Sequence, residues 1–169
     1  AAPMDISVSF DMIADVYLGD ANNNGGDGMA FVLRAPGSIE LQQASSLPGS
    51  NGQYMGYYDM EPSLIVEMDT DRHDDANDPE NWQMHDHLAL MRDGDPDHDS
   101  PNCLVQPVPA IPPDENIEDD EWHTLRVKWD ADAQVISVYF DCLLRFTESV
   151  DMVEILEGTE AFYGFTAST

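Results

Sequence analysis

Positive charge is what this chain has least of. Its 169 residues carry 34 Asp and Glu against 6 Lys and Arg, with Lys128 the single lysine, for a formal net charge of −28. Binding along a phosphate backbone depends on cationic side chains, so this composition excludes nucleic acid as a partner. It equally disfavours adsorption to anionic lipid. Long apolar runs are missing too. None approaches a membrane span and none has the form of a signal-peptide core, which excludes membrane insertion by a helix. No sustained helical period and no internal repeat is present. Cysteine is scarce: Cys103 and Cys142 are far apart and lack metal-type spacing, leaving a disulfide and two buried thiols both open. The start Ala1-Ala2-Pro3, without Met, reads as a processed or cut chain.

What the chain does have is alternation. Ile6, Val8, Phe10 and Met12 share one face of an expected strand over Asp5–Ile13. Met29–Leu33, Tyr54–Tyr58, Ser63–Asp69 and His87–Arg92 read as further strands. Leu125–Trp129 and Ile136–Phe140 form an expected hairpin about an Asp130–Asp132 turn, and Leu143–Phe146 extends the second strand past a break. Ser149–Leu156 suits one or two helical turns, and Phe162–Ala167 a final strand. Between them lie a turn-forming loop at Asp20–Gly28, a polar connection at Ala35–Gly52 and a proline-rich, irregular excursion at Asp93–Pro113. One-sided strands need a second sheet to cover them. The expected fold is therefore all-β, an antiparallel sandwich or jelly roll, with residues 1–169 as one domain.

The densest chemistry lies in Ser63–Leu90. Glu67 and Asp69 are two apart on a strand and so face the same way. The loop after them holds Asp71, His73, Asp74, Asp75, Asn77 and Asp78, stopped by Pro79, and a strand resumes at His87. Carboxylates so crowded need a counter-charge, and hard oxygen ligands on a loop suit Ca²⁺. A solvated acidic loop is the plainer alternative in so acidic a chain. An EF-hand is excluded, since Asp74 stands where the turn glycine belongs and no helices flank the loop.

The pattern E-x-D-T, an acidic loop, D-P and then His87-Leu88-Ala89-Leu90 resembles the metal-binding segment of L-type (legume-like) lectins, the bacterial branch above all. Further segments carry the same resemblance in order: Gly25-Gly26-Asp27-Gly28 before Met29–Leu33, Asn51–Tyr57, Asn116–Trp129, Val138–Arg145 and Phe162–Thr169. The resemblance implies a concanavalin-like sandwich and a non-catalytic, calcium-dependent carbohydrate-binding module, extracellular or at the cell surface, whose partner is a glycan. It makes Asp27 the principal sugar ligand, with a cis Gly26–Asp27 peptide, and gives Gly52 or Gln53 a backbone contact to the sugar. It places Glu67, Asp69, Asp78 and His87 in a metal shell that includes a transition-metal position, and Asp71 where a backbone carbonyl ligates Ca²⁺. It also implies a Cys103–Cys142 disulfide.

Departures accompany the matches. The family's Asn that touches both Ca²⁺ and sugar is His73 here, with Asn77 further along a lengthened loop to take its role. The stretched spacing lets His85 compete with His87, which puts the transition-metal ion in doubt. The family's terminal strands have no counterpart, pointing to a segment of a longer protein or to pairing with another chain. Two other functions compete: a structural or adhesive surface module with a decayed sugar site, whose open strand edges suit homo-oligomers, and a β-glucanase-like hydrolase using Glu67-Met68-Asp69-Thr70-Asp71, where Asp71 replaces the second Glu that chemistry needs. Tyr54, Tyr57, Tyr58 and Trp82 are candidates for stacking on a sugar.

Overall fold

The computed structural model describes residues 2–20, 25–37, 52–71, 78, 86–113 and 116–168. Ten strands follow in chain order: β1 (Met4–Asp5), β2 (Phe10–Tyr17), β3 (Gly28–Arg34), β4 (Ser63–Asp69), β5 (His87–Arg92), β6 (Cys103–Pro109), β7 (Trp122–Asp130), β8 (Val135–Phe140), β9 (Leu143–Ser149) and β10 (Glu160–Ser168). They form two antiparallel sheets, one ordered β1-β10-β3-β4-β5-β6 and the other β2-β7-β8-β9. The expected antiparallel sandwich is present.

Alternation builds the core. Phe31 and Leu33, Leu64, Val66 and Met68, and Leu88 and Leu90 point from the larger sheet onto Leu125, Val127, Trp129, Ile136, Val138 and Phe140 of the smaller one. Each fully buried aliphatic or aromatic side chain there contributes about 1.5–3 kcal/mol. Trp129 also donates from Nε1 to the Ile6 carbonyl at 2.9 Å, tying the start of the chain into the core. α1 (Met152–Ile155) is the expected helical turn, capped by Asp151, whose carboxylate accepts from the Glu154 amide. Arg145 of β9 donates to the Pro109 carbonyl of β6 at 2.9 Å, joining the edges of the two sheets.

Five expectations need correction, one of them Leu143–Phe146, which does not extend β8 but folds back on it as the antiparallel β9. The first long strand is Phe10–Tyr17, and Val8 is exposed, because Ile6 enters the core through a turn braced by Asp5 on Ser7. Tyr54–Tyr58 is no strand: Gly52–Tyr54 is a 3-10 turn and the following residues are turns. The proline-rich excursion contains β6, since an edge strand tolerates Pro107 and Pro109 on its unpaired side. Cys103 and Cys142 are both free thiols. Cys103 starts β6 in one sheet, whereas Cys142 lies in the tight β8–β9 turn of the other. There Asp141 and Cys142 take φ of 45° and 66°, the left-handed pair of a two-residue hairpin.

Candidate functional site

β4 is buried along its whole length, although a strand of a two-layer sandwich has only one face toward the core. Its odd-numbered residues explain this. Ile65, Glu67 and Asp69 face away from the core, as do His87, Ala89 and Met91 of β5, and a second apolar cluster of Met55 and Tyr57 with Ala30, Val32, Ile65, Ala89 and Met91 covers that outer face. The antiparallel register sets Gly28 opposite Asp69 and Asp69 opposite His87. Three adjacent strands therefore deliver a glycine, a carboxylate and an imidazole in one row, at one end of the sheet. Glu67, Asp69, Asp78 and His87 are all buried here.

His98 joins them. Its Nε2 lies 2.9 Å from Glu67 Oε2, and its Nδ1 lies 2.9 Å from Asp78 Oδ1. The other Glu67 oxygen accepts from the Tyr57 hydroxyl. The His98 loop is stiffened by its own acidic residues. Asp95 accepts from the Asp97 amide at 3.0 Å, from Ser100 Oγ at 2.6 Å and from Asn102 Nδ2 at 3.1 Å, and Gln106 donates to the His98 carbonyl at 2.7 Å. Sequence reasoning missed His98 because it lies in a segment read as irregular. The alternating Asp93, Asp95, Asp97 and Asp99 around it, each two apart with turn-forming residues between, were the available signal of an ordered loop.

Burial and mutual repulsion work against full ionisation of these carboxylates. Burial, then Asp78 and Glu67, push the Asp69 carboxyl well above its usual range. Burial works against a charged His98 ring, yet hydrogen bonds to Asp78 and Glu67 outweigh it and raise His98 to about 10. A protonated His98 is thus the counter-charge present in the chain by itself. One donor atom each from Asp69, Asp78 and His87 comes within 4.8 Å of the others, and so does one each from Glu67, His87 and His98. The first set brings two carboxylates and one imidazole, the second one carboxylate and two imidazoles. The Asp71 amide donates to Asp69 Oδ1 at 2.9 Å, just past the end of β4. His73 and Asn77, like His85, Asp74, Asp75 and Trp82, lie outside the described residues.

Asp27 sits immediately beside this cluster. Its carbonyl accepts from the Thr70 amide at 3.2 Å, and Thr70 Oγ1 donates to the Gly26 carbonyl at 2.9 Å, so the residue after Asp69 clasps the Asp27 loop on two atoms. Gly28 makes the turn possible at φ 126°, and a Cβ there would stand 2.2 Å from the Met68 carbonyl oxygen. Gly52 approaches from the other side: a Cβ on it would lie 3.7 and 3.9 Å from the two Asp27 carboxylate oxygens. The Gly52 amide donates to Ser168 Oγ. Two expectations fail here. The cis bonds among the described residues are Glu61–Pro62 and Pro112–Pro113; Gly26–Asp27 is trans, the ordinary form for a non-proline peptide. Tyr57 is fully buried with its hydroxyl on Glu67 and is no sugar platform. Tyr54 and Tyr58 pack on each other with rings tilted by 48° and centroids 4.6 Å apart.

A sequence profile of the legume lectin beta-barrel domain matches residues 1–169. Among solved structures, the seed lectin of Lotus tetragonolobus is similar at a TM-score of 0.74 and 19% identity, over 100% of this chain and 71% of that one. The basic winged bean lectin, solved with Tn-antigen, gives 0.67 and 19%, over 100% and 67%. The Bauhinia forficata lectin, solved in complex with GalNAc, gives 0.68 and 17%, over 99% and 69%. The chain thus spans about two thirds of the length of the lectins it matches.

Proposed function

Because the chain belongs to the legume lectin L-type domain family, we propose that it is a non-catalytic, calcium-dependent carbohydrate-binding module that holds its glycan through Asp27. The observation that carries this reading is the clasp between the two loops: the backbone of Asp27 is bonded to Thr70, next to Asp69, while Gly52 flanks its carboxylate. An ionised carboxylate accepts from two neighbouring sugar hydroxyls. The Gly52 amide is engaged by Ser168, so the backbone contact to sugar falls to Gln53. Asp69 and Asp78 would hold calcium, with Asp71, His73 and Asn77 supplied by the loop between them. The ion, when bound, neutralises this acidic wall. Its effect on sugar runs through Thr70: a fixed metal loop fixes Asp27, which removes ordering cost from the binding step. A secreted or cell-surface module suits the family and the acidic surface.

A hydrolase reading finds no footing, for Glu67 is fully buried and both its oxygens are hydrogen-bonded. Glycan-array screening followed by calorimetry tests the lectin reading. Asp27→Asn is expected to cost about 1.5–3 kcal/mol of glycan affinity, the range for hydrogen bonds to a charged group, with calcium-induced stabilisation intact. Asp69→Asn is expected to lose both. Calcium at a hundredfold over its Kd should add about 2.7 kcal/mol of stability to the parent. Asp27→Asn that binds glycan like the parent would overturn the assignment, in favour of an adhesive module without a working sugar site.

A further inference from the structure

We propose that Trp122 and Tyr17, with Asp120 and Asp15 beside them, form a docking site for an arginine side chain of a partner protein, on the outer face of the smaller sheet. The site goes beyond the lectin reading and uses none of the residues which that reading assigns to glycan or calcium.

Exposure comes first. Trp122, the first residue of β7, is 70% exposed, the most of any large apolar side chain among the described residues, and Tyr17 at the end of β2 is 41% exposed. The antiparallel register sets the two opposite each other, with ring centroids 5.5 Å apart and planes tilted by 45°. Tryptophan and tyrosine are the side chains that most often anchor an interface. This pair is also held in place before any partner arrives. The Tyr17 hydroxyl donates to Asp120 Oδ1 at 2.6 Å, and the Asp120 amide donates to the Gly19 carbonyl at 3.0 Å.

Charge selects the occupant. Asp120 is exposed, and its second carboxylate oxygen has no hydrogen-bond partner among the described residues. Asp15 is exposed as well, two residues before Tyr17 and so on the same strand face. The bond to Asp120, and the charges of Asp120 and Asp20 with it, push the Tyr17 hydroxyl up to about 12, which keeps it a donor. An anionic partner is repelled here. A cation is drawn to the face of an indole and to the carboxylates together. Guanidinium meets both at once, because it is planar enough to stack and presents a fork of N–H donors to a carboxylate.

The same sheet face already holds one such assembly. Arg126, four residues along β7 from Trp122, lies over the Tyr139 ring at 5.5 Å from its centroid and grips Asp11 with bonds of 2.8 and 2.6 Å. There the chain supplies ring, carboxylate and guanidinium. At Trp122 it supplies the ring and the carboxylates, and the partner brings the guanidinium.

The test titrates the full chain, by calorimetry, with an arginine–glycine–arginine tripeptide capped at both ends. Physiological ionic strength screens the diffuse attraction of so acidic a protein. The parent is expected to bind the peptide with a change in tryptophan emission. Trp122→Ala is expected to lose that change and at least about fivefold in affinity, the weight of one cation–π contact. Asp120→Asn is expected to weaken binding more than Asp132→Asn, which removes the same charge beyond the far end of β7. The lysine counterpart of the peptide should bind more weakly, since an ammonium cannot stack as a plane. A parent that does not bind, a Trp122→Ala chain of parental affinity, or equal losses in the two Asp variants overturns the proposal. Equal binding of the lysine peptide overturns the assignment to guanidinium, and so does an emission change given by a neutral oligosaccharide but not by the arginine peptide. Asp27→Asn is expected to bind the peptide like the parent, so this result and the glycan reading fail separately.

Discussion

His123 on β7 is held between two carboxylates, with Nδ1 2.7 Å from Asp141 and Nε2 3.2 Å from Asp119, and its ring stacks on Phe140. Burial opposes its charge, but the hydrogen bond to Asp141 and the charges of Asp141 and Asp119 prevail and raise its pKa. A base whose folded pKa exceeds its unfolded value near 6.5 contributes stability that is complete below that pH. The contribution is lost as pH rises through the folded value. Urea midpoints measured upward from pH 6 should therefore fall, and His123→Asn should flatten that slope. An unchanged slope in the variant would show that the pair of carboxylates does not hold a proton on His123. The same residue was invisible in the sequence as a charged group, because its partners lie 18 residues ahead in a hairpin turn and four behind. Glu67, Asp69 and His87, by contrast, were legible. Strand alternation alone puts Glu67 and Asp69 on one face, and the register then brings His87 opposite Asp69.

β3, β4 and β5 were readable as strands since their apolar runs are bounded by turn residues, and the sandwich followed from needing a cover for them. The outer roof was not readable. Met55 and Tyr57 sit in turns with no period, and a turn that packs on a sheet looks in sequence like one that faces water. β6 was hidden by its prolines for the same reason: only its position at a sheet edge makes them harmless. The free thiols show the limit of resemblance, for a cysteine in a two-residue hairpin turn is placed by that turn. At Gly28 the backbone of β3 lies close against that of β4. Ala there would need a left-handed φ of 126° and would press its methyl on the Met68 carbonyl. Gly28→Ala is expected to lower stability by more than the roughly 1 kcal/mol of an ordinary glycine replacement, and to weaken glycan binding by displacing Asp27. Thermal unfolding and calorimetry on one preparation check both; a loss of neither would mean that β3 slides freely over β4.

Two of the scarce cations are held in ion pairs at the surface. Arg126 grips Asp11 with two bonds of 2.8 and 2.6 Å, and Arg92 holds Asp93 at 2.7 Å. These pairs leave a large uncompensated negative charge, and its self-repulsion opposes the compact state. Sodium chloride should therefore raise the unfolding midpoint in chelator as the Debye length shrinks from about 30 Å at 0.01 M to about 3 Å at 1 M. A flat or falling midpoint would show that repulsion is already relieved within the fold. β4 links this surface to the interior, with Leu64, Val66 and Met68 turned to the core and Glu67 and Asp69 to the opposite, equally buried face. In the language of hydrogen exchange, the amides of Glu67 and Asp69, on a strand buried along its length and paired on both sides, are expected among the slowest to exchange.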